Sequence, residues 1–205
     1  PDIVGCIRGQ FFAIECKAGR NTTTRLQDSH LAEIRKQGGV ALLINGDNAL
    51  GHLVMNRAVE LALEKVKRHS VCWIGSHFGN HSGAASAYVR KLAEQGYIGI
   101  YMAVGNANHM APWGGIDLLL STNPIAIAVP AGNDPIVLLD IATTVAAYGK
   151  VKVAAQKGES IPDDWMIDKE GKPITDPKRS AEGSLLPIGG YKGYGLAVMI
   201  GLLAG

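Results

Sequence analysis

A histidine, an aspartate and a lysine, each set among glycines, asparagines or threonines, are the side chains of this sequence best suited to chemistry. His81 stands in Gly79-Asn80-His81-Ser82-Gly83-Ala84-Ala85, Asp140 in Leu139-Asp140-Ile141-Ala142-Thr143-Thr144, and Lys192 in Gly189-Gly190-Tyr191-Lys192-Gly193-Tyr194-Gly195. Imidazole exchanges protons near neutrality, so His81 suits proton transfer to or from a carbonyl or hydroxyl oxygen. Its other reading is a cap on the helix that begins near Gly83. A carboxylate at a strand end accepts ribose hydroxyls, while the threonine and backbone N–H groups after it suit a phosphate at a helix start. Aspartate is equally suited to an N-cap. Lys192, a lone cation among Gly and Tyr, offers a phosphate or carboxylate partner where the backbone comes close.

Two further strings have the same turn-rich character: Met110-Ala111-Pro112-Trp113-Gly114-Gly115 and Ser121-Thr122-Asn123-Pro124. A separate constellation lies near the start, where Asp2 is followed by Glu15, Lys17 and Gln27. Two carboxylates on adjoining strands can hold Mg²⁺ with its waters, Lys17 can orient the attacking water, and Gln27 can position water or phosphate. An ordinary half-buried hairpin with a surface Glu and Lys is the alternative.

These groups need elements to position them. Residues 11–16 read as a strand, residues with Leu26, Leu31 and Ile34 at helical spacing as a helix, and 40–44 as a buried strand, together an N-terminal β-α-β appendage. After the turn Gly46-Asp47-Asn48 comes an amphipathic helix over about 50–68, with Leu53, Val54, Ala58, Leu61, Ala62 and Val66 on its apolar side. A strand at 71–75, a helix at 84–95 with Ala85, Tyr88, Val89 and Leu92 on one face, and a strand at 98–103 continue a βαβ-like rhythm. Short strands at 124–130 and 136–139 precede a helix through 144–156. Residues 158–184 are polar and read as a surface excursion anchored by Trp165 and Ile167, before a final apolar core helix from about Leu196.

The 205 residues, 47% hydrophobic and 19% charged, suffice for one sizeable core or a domain with an appendage. A formal net charge of +2 points to no nucleic-acid or anionic-membrane partner. Cys6, Cys16 and Cys72 form no CxxC pair, which fits a reducing compartment, so the expected location is cytoplasmic. No secretory leader is visible, and the apolar run 196–204 is too short to span a bilayer. Pro1 and Gly205 both look like cut ends of something longer.

In this order, the five turn-rich strings resemble the malate/L-lactate dehydrogenase family, which also includes ureidoglycolate dehydrogenase, diketogulonate reductase and cyclic imino-acid reductases. The resemblance starts at Asn45-Gly46-Asp47-Asn48-Ala49-Leu50-Gly51-His52 and runs to Gly205. It implies an α/β fold with a mixed-sheet NAD(P)-binding domain that is not of the Rossmann type, and no Rossmann fingerprint occurs. It implies reversible hydride transfer between NAD or NADP and a small 2-hydroxy, 2-oxo or imino acid, in a homodimer whose active site lies near the subunit interface, with no membrane partner. His81 matches the family's Asn-His, although Ser82 replaces the usual Phe. Leu139, Asp140, Ile141, Ala142, Thr143, Tyr191 and Lys192 carry over as cofactor-binding. Pro112, Trp113, Gly114 and Gly115 carry over as shaping the nicotinamide pocket, with Thr122 and Asn123 at its edge; Trp113 as core filler is the other reading. His77 and His109 match no motif and read as surface or cleft-edge residues. At Gly105 and Asn106 the string departs from the family and leaves a cofactor contact open.

The family's Ser-His-Gly string, with an Arg four residues after the His, does not precede the Gly-Asp-Asn turn. Ser29, His30 and Arg35 have the wrong spacing and flanks. Residues 1–45 instead resemble part of the VRR-NUC branch of the PD-(D/E)xK nucleases, on Asp2, Glu15, Lys17 and Gln27. The expected segments are therefore 1–45, nuclease-like, and 46–205, dehydrogenase-like. The alternative function is a Mg²⁺-dependent nuclease acting on nucleic acid, and a recombined reading frame is as plausible as a purposeful fusion.

Overall fold

Strands β1 (Ile3–Ile7) and β2 (Gln10–Ile14) form an antiparallel hairpin with Ile3 opposite Ile14 and Ile7 opposite Gln10. The computed structural model describes residues 3–7, 10–14, 40–69, 71–105 and 107–204. The helix expected around Leu26 to Ile34 lies outside them, so of the β-α-β appendage only its strands are described. Two compact units result: Pro1–Tyr101, Ala126–Asp140 and Leu202–Gly205 make the first, and Met102–Ile125 with Ile141–Gly201 the second. The 45/46 boundary falls inside the first unit.

In the first unit β3 (Ala41–Asn45) and β4 (Trp73–His77) pair in parallel, Ala41 opposite Trp73 and Asn45 opposite His77. Parallel neighbours need a crossover. Helix α1 (Gly51–Val66) supplies it and buries Gly51, Val54, Ala58 and Val59. Leu53, expected on the buried side, is exposed; the apolar run of this helix is wider than the stripe its packing needs.

Helix α2 (Ser86–Ala93) packs on a sheet ordered β5 (Gly99–Met102), β6 (Ile125–Ala131), β7 (Asp134–Ile141). Ala85, Val89 and Ala93 meet Ala126 and Ala128, with Tyr101, Ile136 and Leu138 around them. Ala126 and Ala128, alternate residues of β6, thus face the helix, the period-2 signature of a strand with one covered face. The small side chains let the helix sit close. Gly132 and Asn133 join β6 to β7, and Gly132 has φ 65°; a two-residue connection between neighbours demands an antiparallel pair. On the opposite face Val137 and Leu139 are exposed. The first unit therefore combines parallel and antiparallel pairing, the mixed α/β class expected.

The second unit has its own core: Val151 and Ala154 of α3 (Tyr148–Lys157), Ile161, Met166, Ile174 and Leu185, with Tyr148 and Trp165 packed against them. Ile161, Met166 and Ile174 all belong to the stretch expected to run over the surface. That expectation is corrected. The apolar residues there are too sparse to show a period, yet β8 (Met166–Ile167) and β9 (Ser184–Leu185) pair antiparallel and turn them inward, and the Ile174 N–H donates to the Met166 carbonyl at 2.9 Å. The helix expected from 144 begins only at Tyr148. Before it, Thr144 and Ala146 are buried in a turn closed by the Thr144 hydroxyl donating to the Ala146 carbonyl at 2.8 Å, as threonine side chains do when they compete with helix.

A 3₁₀ helix, Pro177–Glu182, precedes β9. Its cap is Asp176, whose Oδ1 accepts from the Lys178 N–H at 3.0 Å. Asp176→Ala should cost about 1 kcal/mol, the usual cost of losing such a cap. Denaturant midpoints read this directly, and an unchanged midpoint would refute the capping role.

The last helix, α4, spans Tyr191–Ala204, so it starts five residues before the expected Leu196 and takes in Lys192. Gly189 and Gly190 precede it with φ 60° and 65°. Among the described residues no helix is long and apolar enough to cross a membrane.

Candidate functional site

In the first unit, His81 follows β4 on a segment fastened to the turn before α1. The Gly46 N–H donates to the His77 carbonyl and the Asn48 N–H to the Phe78 carbonyl, both at 2.8 Å. Asn80 closes the junction from the other side, its backbone N–H donating to the Ala49 carbonyl at 3.2 Å and its side-chain amide to the Asn48 carbonyl at 2.6 Å. Gly51, the first residue of α1, lies flat against the next peptide. A Cβ there would fall on the Asn80 carbonyl oxygen and 2.7 Å from the His81 carbonyl. Asp47, Asn48 and Phe78 are the described non-glycine residues with positive φ, at 47°, 57° and 52°. Left-handed backbone costs about 1–3 kcal/mol at such residues and persists where surrounding structure holds it. All three flank the two joined turns, and His81 itself is exposed.

Asp140 is the last but one residue of β7 and lies in the same unit, and its Oδ2 accepts the Ser86 N–H of α2 at 2.8 Å. The carboxylate thus caps a helix, though one far away in sequence and not the one that follows it. A negative group at an N-terminus is stabilised by the helix dipole. Leu139 is 43% exposed on the uncovered sheet face.

The second unit carries the aromatic and cationic candidates. Trp113 and Tyr191 meet edge to face with ring centroids 6.3 Å apart, and they remain 57% and 62% exposed. Gly190 lies under the indole, since a Cβ there would come within 3.2 Å of the ring. Trp113 is therefore a surface ring and not core filler. Gly114 has φ 80° beside it, Pro112 is half-buried, and Lys192 in the first turn of α4 is exposed. Exposed rings next to a lone lysine fit a flat heteroaromatic group with phosphate attached: rings stack, and the ammonium pairs with oxyanions.

Thr122, Asn123 and Thr143 serve differently. Thr143 is wholly buried, and both its N–H and its hydroxyl donate to the Thr122 carbonyl, at 3.0 and 3.1 Å. Its donors are spent inside the fold, and no helix starts at it to receive phosphate. The buried Asn123 donates from its amide to the Ala197 carbonyl at 2.9 Å, and its Oδ1 accepts from the Gly105 N–H at 3.4 Å. These residues tie the strand entry to α4. Ile141 and Ala142 are half-buried. Asn106 lies outside the described residues, as do Asp2, Glu15, Lys17, Gln27, Ser29, His30 and Arg35. Among the described residues no cluster of three or more His, Cys, Asp or Glu could hold a metal ion.

His77 is half-buried against Phe78, with ring centroids 4.5 Å apart. His109 was missed as a packing residue because nothing near it in sequence signals its partner. It stacks on Tyr148 at 3.9 Å between centroids, nearly parallel, with Lys152 Nζ 5.4 Å from the Tyr148 ring centre. Burial first and the Lys152 charge second lower its pKa from the ordinary 6.5. The folded imidazole takes its proton less readily than the unfolded one, so stability is full above the ordinary value and falls as pH drops through it. Acidification from pH ~7 to ~5 should therefore destabilise the protein, and His109→Phe, which keeps a ring on Tyr148, should lose less. Equal losses in denaturant midpoint for both proteins would contradict the assignment.

The malate/L-lactate dehydrogenase family model matches residues 15–205. The chain belongs to this family. Relatives include L-sulfolactate dehydrogenase of Methanothermobacter thermautotrophicus, 44% identical over 84% of this chain and 50% of the relative. Ureidoglycolate dehydrogenase (NAD(+)) of Escherichia coli is 38% identical over 98% of this chain and 55% of its own length. Among solved structures, sulfolactate dehydrogenase from Methanocaldococcus jannaschii superposes with a TM-score of 0.70 at 43% identity, over 78% of this chain and 46% of that one. This malate/L-lactate dehydrogenase family member thus spans about half the length of the curated relatives it matches. The family match runs through the 45/46 boundary and takes in Glu15, Lys17 and Gln27. The nuclease alternative gains no support from these relatives.

Proposed function

We propose that this chain is the nicotinamide-binding portion of an NAD(P)-dependent oxidoreductase acting on a small 2-hydroxy, 2-oxo or imino acid. The observation that carries the reading is the Trp113–Tyr191 pair, two large rings left exposed beside Lys192 at a helix entered through Gly189 and Gly190. Bound nicotinamide supplies or accepts the hydride. Trp113 and Tyr191 offer rings to its flat groups, Lys192 pairs with phosphate oxygen, and Pro112 with Gly114 shapes the approach. His81 exchanges the proton at the substrate oxygen. Asp140 holds the N-terminus of the helix that follows His81, and Leu139 offers exposed apolar surface on the opposite face of the sheet. Thr122, Asn123 and Thr143 act from inside, by fixing backbone, and the half-buried Ile141 and Ala142 lead from Asp140 to Thr143.

The names of the relatives suggest malate, sulfolactate and ureidoglycolate as the first acids to try. A homodimer in the cytoplasm is the accompanying reading, the latter supported by three cysteines without a CxxC pair. Cys72 is free, and burial raises its pKa, which makes it a packing thiol more than a reactive one. The test is titration of the purified chain with NADH and with NADPH, followed by nicotinamide fluorescence. Saturable binding of either supports the reading and tells the two cofactors apart; no binding of either at millimolar concentration overturns it. Cofactor binding with no turnover of any of the acids would mark the chain as binding-competent but catalytically incomplete.

A further inference from the structure

The residue after His81 is held more firmly than His81 itself. Ser82 Oγ and the Tyr101 hydroxyl lie 2.8 Å apart in a hydrogen bond, and the Tyr88 hydroxyl donates to the Ser82 carbonyl. The two phenol rings stack with centroids 6.0 Å apart. Tyr88, in α2, is buried against the sheet, and Tyr101, in β5, packs on the same alanine-lined core. The hydroxyl and the carbonyl of one serine are thus each bonded by a phenol whose ring packs at the core of the unit, Tyr88 buried and Tyr101 half-buried. The neighbours on each side are held too. Gly51 abuts the His81 carbonyl, and the His52 imidazole covers Gly83, where a Cβ would lie 2.7 Å from Nε2. The His81 imidazole stands exposed between these fastenings.

A short segment with Asn80 hydrogen-bonded on one side, Ser82 on the other and an exposed imidazole between them is pre-organised for proton exchange, because reaction rate depends steeply on where the base stands. We infer that Tyr88 and Tyr101, acting through the two polar ends of Ser82, are positioning residues that aim His81. Burial, and Tyr101 beside it, raise the Tyr88 pKa above its ordinary value of 10.0, so the phenol keeps the proton it donates to the Ser82 carbonyl. Tyr101 then fixes the serine side chain and Tyr88 the Ser82–Gly83 peptide, so the pair sets the position and the rotation of the residue that follows His81. This inference rests on the reading of His81 as the proton-exchanging group, but its physical content, an imidazole aimed by two phenols, is measurable without turnover.

Tyr101→Phe and Tyr88→Phe each remove one hydroxyl and leave the ring in the core, Ser82→Ala removes Oγ alone, and Ser82→Thr restores it. All four would be made in the 205-residue chain with isotope-labelled histidine. In Tyr101→Phe and Ser82→Ala the melting temperature and NADH affinity should stay close to the parent while the His81 ring resonances shift or broaden, and Ser82→Thr should return them. With a turned-over acid, kcat should fall about tenfold with KM little changed. His81 resonances unmoved in folded Tyr101→Phe and Tyr88→Phe would overturn the inference, as would loss of kcat that Ser82→Thr fails to restore. Failure of NADH to bind would count against the cofactor reading alone, since the His81 resonances report on the aiming either way. If Tyr88→Phe unfolds the chain, the Tyr101 and Ser82 variants still decide.

Discussion

His81→Gln should slow nicotinamide-linked turnover of malate or ureidoglycolate by ~10²–10⁴, the usual range for losing a positioned general acid or base. NADH affinity should stay within about twofold, since the proposed cofactor contacts lie elsewhere in the sequence. Glutamine is the informative replacement because it keeps a polar planar end of similar reach and cannot exchange a proton near neutrality. His81 is exposed, and its segment is fixed through Asn80, Gly51 and the two turns, so the substitution alters little but the chemistry at its tip. Single-turnover and steady-state rates should fall together. A loss smaller than tenfold would mean that the proton comes from another group, and His81 would then be only a residue of the α2 entry.

The turns and open surface of the glycine-rich strings were legible because glycine, proline and paired aromatics announce them. Trp113, Tyr191 and Lys192 accordingly lie exposed on the second unit. The packing of Asp140 and Thr143 was not legible. An aspartate before a polar turn is equally a ligand or a cap in sequence, and only the fold shows that its Oδ2 accepts the Ser86 N–H. Thr143 reads as an exposed donor until its burial and its two bonds to the Thr122 carbonyl are seen. The same limit explains Ile161, Met166 and Ile174. Single apolar residues in a polar stretch carry no period, so their inward direction depends on pairing between distant strands. By contrast Tyr88 and Val89 fell on the expected face of α2, because a short amphipathic helix against a sheet leaves a clean stripe.

Gly193 and Gly195 lie two residues apart in α4 and should respond to alanine with opposite signs. Gly195 is exposed, with nothing close to where a Cβ would go. There alanine removes backbone freedom from the unfolded chain and should stabilise by about 0.5–1 kcal/mol. Gly193 is buried, and a Cβ would strike the Ile188 carbonyl and lie 2.8 Å from the Ile188 nitrogen. Both obstacles are backbone, and that nitrogen already donates to the Thr143 carbonyl at 2.9 Å, so neither can rotate aside as a side chain would. Gly193→Ala must instead push α4 off the segment that enters it, at a cost of about 3 kcal/mol, the upper part of the usual overpacking range. Because Lys192 is its neighbour and Gly190 seats the Trp113 ring, the displacement should also weaken NADH binding well below the parent value even where the variant stays folded. Denaturant midpoints for both variants and one cofactor titration decide the matter. Equal stability of the two would mean that the helix entry yields without strain, and glycine at 193 would then owe its place to nothing in the packing.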